Sequence, residues 1–193
     1  MKKLTLAGLV VLISTGAGPA LAHSGHGATT GLIAGLAHPV FGLDHLLAML
    51  AVGLWSGFVL PRRFWLGAAV FMAAMVAGAA LSWAGVALPL VEAGIVASVV
   101  LFGALTLAAR RGQAGRITTA SLVAIGGFAM FHGHAHATEA AGAILPYLAG
   151  FLMATGALHL AGIGIARAVA VQPLAQRVMG GGIAASGLWL AFG

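Results

Sequence analysis

The sequence predicts an all-α integral membrane protein, a six-helix transmembrane bundle left after removal of an N-terminal signal peptide. Three observations carry this. The chain of 193 residues is 61% hydrophobic and only 6% charged, whereas soluble domains average about 25% charged. Its apolar runs recur at close to 20 residues, the length of helix that crosses a hydrocarbon core about 30 Å thick. The basic residues gather in alternate connections between those runs, the pattern that orients a protein in a membrane.

The elements follow in order. Lys2 and Lys3 form a positive start, LTLAGLVVLI an apolar core, and Ala20-Leu21-Ala22 a small-residue cleavage site, so residues 1–22 read as a signal peptide. The alternative is an uncleaved first helix. Cleavage after Ala22 leaves a mature chain that starts His23-Ser24-Gly25-His26-Gly27. Export of this kind implies the inner membrane of a bacterium, with the mature N-terminus on the periplasmic side. Residues 23–193 then form one domain with spans at about 31–60, 64–83, 89–109, 117–136, 142–166 and 174–192. The first run is too long for a simple span and contains Pro39. Proline removes a helical hydrogen bond, which predicts a bend or break near His38 and a short half-helix before it.

The connections test the count. Pro61-Arg62-Arg63, Arg110 to Arg116, and Arg167 to Arg177 follow the first, third and fifth runs, while the connections after the second and fourth contain no Lys or Arg. Six spans with an external N-terminus put all three basic loops in the cytoplasm. The formal charge of +6 is therefore a topology signal, and no nucleic-acid partner is expected; the partner is the lipid bilayer. The 30 glycines fit close helix contact in lipid. Gly78, Gly103, Gly126, Gly127 and Gly156 are contact candidates.

With no cysteine, disulfides and thiolate metal sites are excluded. Any metal must be held by nitrogen and oxygen, and no metal is expected to be bound permanently. The chain lacks G-x-x-x-x-G-K-[ST], H-E-x-x-H and G-x-S-x-G, so ATP hydrolysis and the usual zinc-protease and serine-hydrolase motifs are missing.

The chemistry lies in the histidines and acids. His38, Asp44 and His45 fall in HPVFGLDHLLAML; His132, His134, His136 and Glu139 fall in FHGHAHATE. The chain has three acidic residues, and ionisable groups at membrane depth are functional candidates by default. Imidazole and carboxylate together suit a divalent transition metal. On a straight helix His38 and His45 would lie roughly 10 Å apart, too far to share one ion unless the chain bends; otherwise they serve successive positions. Asp44 either ligates or orients a ligating imidazole, or it forms a buried Asp–His pair that ties helices together. His132 and His136 share a helix face, as do His136 and Glu139, whereas His134 is expected to point elsewhere, toward solvent. His23 and His26 either capture an ion loosely beside the new α-amine or form a plain polar lead. Glu92 is a pathway residue or an acid favoured at a helix start, and His159 lines a path or bonds a neighbouring helix.

At these residues the chain resembles the HupE/UreJ family of bacterial nickel permeases. The motif H-x5-D-H reads His38 to Asp44-His45, and F-H-G-x-A-H reads Phe131-His132-Gly133-His134-Ala135-His136. The signal peptide, length and layout extend the similarity over essentially the whole chain. Ala137 stands where the family is expected to carry glycine, a departure that bears on local backbone geometry. The resemblance implies import of Ni²⁺, with Co²⁺ as the alternative, for maturation of hydrogenase or urease. It implies an indirect link to their nickel metallochaperones and is compatible with an oligomer. It assigns His38, Asp44 and His45 to one functional cluster and His132 and His136 to a second, with Glu139, Glu92 and His159 as further family positions. Imidazole ligation predicts weaker transport at acidic pH. The competing class is an intramembrane zinc hydrolase, in which three histidines hold Zn²⁺ and Asp44 handles a water.

Overall fold

The computed structural model describes residues 31–140 and 144–193. Within them the chain is all helical: α1 (Gly31–Phe41), α2 (Leu43–Val59), α3 (Leu66–Trp83), α4 (Val91–Ala108), α5 (Gly115–Glu139), α6 (Ile144–Ala168) and α7 (Pro173–Phe192). The signal peptide falls outside the described residues. α3, α4 and α6 are each long and apolar enough to cross a membrane, and α1 with α2 forms a further apolar pair bent by 78°. The protein is a multi-pass membrane protein. Taking the bent pair as one unit gives six helical units among the described residues, compatible with the six runs of the sequence.

The bend comes later than the proline predicts. Pro39 lies inside α1, in its last turn, where the hydrogen bond it cannot make is among the last of the helix. The chain breaks instead at Gly42, whose backbone is extended (φ −81°, ψ 110°). Its amide donates to the His38 carbonyl at 3.2 Å, and its carbonyl accepts the Leu46 amide at 2.8 Å. One residue thus ends α1 and starts α2, and the turn between them is as short as it can be.

α2 is the axis of the bundle and touches each of the other six helices. From Ala48 to Val59 all but Leu50 are buried, as expected of a helix that is apolar on every side. Around it α1 and α6, α3 and α5, and α4 and α7 pair most closely. Missing side chains make those crossings possible. A Cβ on Gly53 would strike the His159 carbonyl, and one on Gly133 the Met75 carbonyl. Of the glycines expected at contacts, Gly78 and Gly103 sit directly against a neighbouring backbone, and Gly126 meets the Val70 side chain at 3.3 Å. Gly127 faces open space and Gly156 is only loosely approached. Both lie on apolar helix surface, where sequence alone does not tell a packed face from a lipid-facing one.

The bundle has two distinct ends. At one, the Arg167 guanidinium lies 4.3 Å over the Phe64 ring. There too Gln176 of α7 donates to the Thr106 and Ala109 carbonyls at the end of α4, at 3.0 and 2.7 Å, satisfying groups a helix end leaves open. At the other, the close of α5 meets the α1–α2 bend. The basic connections lie at the first end and the histidine motifs at the second.

Candidate metal centre

The bend at Gly42 builds this centre. It lays the last turn of α1 across the start of α2, and the His38 and His45 rings come to 5.6 Å between centroids. The separation of a straight helix, roughly twice that, is removed. The last turns of α5 bring the third member. His136 lies 4.6 Å from His38 and 4.3 Å from His45, ring to ring. One nitrogen from each of His38, His45 and His136 falls in a set whose members all lie within 4.8 Å of one another. Donors each about 2.1 Å from a shared ion are separated by at most ~4.2 Å. Small side-chain rotations would bring the three nitrogens within reach of one cation. His45 and His136 are buried and His38 is half-buried.

Asp44 is held against His45 rather than in the trio. Its Oδ1 lies 2.8 Å from both the backbone nitrogen and Nδ1 of His45. A carboxylate oxygen only accepts, so Nδ1 carries the ring proton and Nε2 is the bare nitrogen. Nε2 has no hydrogen-bond partner among the described residues. This is the arrangement by which an outer carboxylate aims an imidazole at a metal. The acid also sits in the first turn of α2, where the helix dipole favours negative charge.

Beneath the trio the imidazoles continue inward. His132, one turn before His136, is fully buried and lies 4.9 Å from the His45 ring. Its Nε2 is 2.9 Å from the Ser98 hydroxyl of α4. The Phe71 ring of α3 stands 5.4 Å from His132 and 5.0 Å from His159, and His159, also fully buried, bonds the Thr155 carbonyl through Nδ1 at 2.7 Å. A line of rings thus runs from His38 at the end of the bundle to His159 inside it.

The remaining sequence candidates are elsewhere. His134 does not face solvent as expected: it is buried, with Nε2 2.9 Å from the Val86 carbonyl. The loop between α3 and α4 folds against α5 and takes up the side that a lone helix would expose. Glu92 is exposed in the first turn of α4, outside the trio. Glu139 ends α5, and its side chain, like His23 and His26, lies outside the described residues.

Sequence reasoning missed the aromatic wall and Ser98. Phe151 of α6 stands 3.9 Å from the His136 ring and stacks with Tyr147 at 6.4 Å. Both also flank His38, each at 6.3 Å. Phenylalanines in a membrane helix carry no signal that separates a site wall from packing. Ser98 did carry one, as a hydroxyl in the middle of an apolar run. A cleft of about 10 Å³ opens beside His136 between Met75, Trp83, Gly133 and Tyr147, close to the smallest volume that admits a water molecule.

Residues 10–190 match the family model described as HupE / UreJ protein. Protein HupE of Rhizobium leguminosarum bv. viciae is 37% identical over 185 residues, covering 91% of this chain and 92% of its own. No solved structure matches the chain. With nearly the whole chain matched by the family model and by a relative of this identity, the protein belongs to the HupE/UreJ family.

Proposed function

We propose that the protein is an inner-membrane permease that imports a divalent transition metal, Ni²⁺ before Co²⁺, for hydrogenase or urease maturation. The observation that carries this reading is the convergence of His38, His45 and His136 at one end of a membrane bundle, above a line of buried imidazoles that leads inward. The histidine end faces the periplasm and the arginine-bearing end the cytoplasm, following the rule that short basic loops stay inside. The six helical units each span the membrane, and the mature N-terminus is periplasmic.

The trio captures the ion, with Asp44 aiming His45. His132 and then His159 receive it in turn. Imidazole nitrogens suit Ni²⁺ and Co²⁺ alike. Capture by a few neutral ligands that are not fully closed around the ion favours release as much as binding, as conduction requires. The driving force is the gradient and the membrane potential. A doubly charged ion gains about 4.6 kcal/mol per 100 mV, enough for roughly a thousandfold accumulation without ATP. A zinc hydrolase gains no support from a cleft of about 10 Å³ beside His136.

The test is uptake of radioactive nickel in cells that lack other nickel importers, with the intact chain beside His45→Ala and His132→Ala at equal membrane expression. Uptake that both substitutions abolish is the expected result, and competition by Co²⁺ then ranks the two metals. Background uptake by the intact chain, together with stoichiometric tightly held zinc after purification, overturns the permease.

A further inference from the structure

Three buried imidazoles along the line from His38 to His159 share one feature. Each has a nitrogen fixed on a protein acceptor: His45 Nδ1 on Asp44 Oδ1, His132 Nε2 on Ser98 Oγ, and His159 Nδ1 on the Thr155 carbonyl. The opposite nitrogens, His45 Nε2, His132 Nδ1 and His159 Nε2, are buried with no hydrogen-bond partner among the described residues. Of these three His132 is reversed, as is His134, which stands off this line with Nε2 on the Val86 carbonyl and Nδ1 bare. The bare atom of His132 is Nδ1, where the other two of the line present Nε2.

The Ser98 hydroxyl decides this. A serine has one hydrogen to give, and Ser98 gives it to the Ile95 carbonyl at 2.6 Å. Toward His132 Nε2, 2.9 Å away, its oxygen is left only to accept, so the ring proton sits on Nε2 and the lone pair on Nδ1. In the opposite arrangement Ser98 would donate to the ring and Nδ1 would carry the proton. A buried N–H would then face no acceptor, which native proteins rarely tolerate. A bare lone pair is equally unpartnered, but a cation can fill it and cannot fill an N–H. Ser98 itself is fully buried on α4, a helix that supplies none of the histidines.

We propose that Ser98 is a positioning residue for transport: it holds His132 with the proton on Nε2 and so leaves Nδ1 to take the cation from the His38–His45–His136 trio. The inference rests on the permease reading above and adds to it the atom through which His132 acts. His132 is placed for that step, with its ring 4.9 Å from His45 and one turn below His136 on the same helix face.

The experiment combines two measurements on the full chain. Nitrogen-15 NMR of histidine-labelled protein in nanodiscs reads the His132 tautomer, with the resonance assigned by its loss in His132→Gln. Nickel uptake in cells reads KM and Vmax separately. The intact chain is expected to show protonated Nε2 and bare Nδ1 at His132. Ser98→Ala and the closely shaped Ser98→Cys are expected to lose that pattern and to raise KM about tenfold, the lower range for loss of a ligand-orienting partner, with Vmax within about twofold. Ser98→Thr, which keeps the hydroxyl, restores both. Normal uptake by an intact chain whose His132 carries its proton on Nδ1 overturns the proposal, as does an unchanged KM in Ser98→Ala. Absence of uptake by the intact chain overturns the permease reading itself, and the proposal falls with it.

Discussion

Asp44 Oδ1 touches His45 twice, at the backbone nitrogen and at Nδ1, both at 2.8 Å. The first contact fixes the acid at the start of α2 and the second fixes the ring, so backbone and imidazole are set by one oxygen. Asp44→Asn keeps the size and removes the charge. Its amide can turn a donor toward Nδ1, which would strip the proton from that nitrogen and spoil Nε2 as a ligand. The expected outcome is a rise of about 10- to 100-fold in the KM for nickel. The check is uptake at equal membrane expression, and a KM within twofold of the intact chain would show that the charge is not used.

His134 and His136 differ by two positions and are expected to differ in effect. His136 stands in the trio, while His134 bonds the Val86 carbonyl at the edge of the bundle. His136→Ala should abolish uptake. His134→Ala should leave uptake within a few-fold and lower stability by about 1 kcal/mol, the net worth of one hydrogen bond. Paired uptake and detergent-melting measurements separate the two, and equal loss of uptake from both would contradict the assignment of His134 to the loop.

Neutral imidazole ligates and imidazolium does not, which sets the direction of the pH response. A histidine titrates near 6.5 when unperturbed. Lowering the pH puts protons in competition with the ion for the same lone pairs. Initial uptake should therefore fall, not rise, as the pH is lowered at constant membrane potential and constant free nickel. Uptake that rose on acidification would argue against direct imidazole ligation.

Much of this was legible in the sequence because lipid makes charge and polarity rare. The positions of the helical units, the broken first unit, and the choice of His38, Asp44, His45, His132 and His136 as site candidates all follow from where a few polar groups interrupt apolar runs. Three things did not follow. The break lies at Gly42 because a proline in a last helical turn is tolerated, which spacing alone does not reveal. His134 is buried because the α3–α4 loop packs on it, a contact between residues far apart in the chain. Phe71, Phe151 and Ser98 gain their meaning only from the histidines of other helices that they meet.

Glycine at 133 illustrates the same point at the level of packing. It lies between His132 and His134 on α5, and a Cβ there would run into the Met75 carbonyl of α3. Backbone cannot yield as a flexible side-chain end can. An alanine must therefore push α5 away from α3 and carry His132 and His136 with it. The cost of such overpacking is typically about 1–3 kcal/mol, and a displacement near 1 Å is enough to spoil a ligand set. Gly133→Ala should lower the melting temperature in detergent and reduce nickel uptake at equal expression. Gly127→Ala, on the same helix where the added methyl meets open space, is the matched control and should change neither. If Gly133→Ala melted and transported like the intact chain, the close contact of α3 with α5 would not be what holds His132 and His136 against His45.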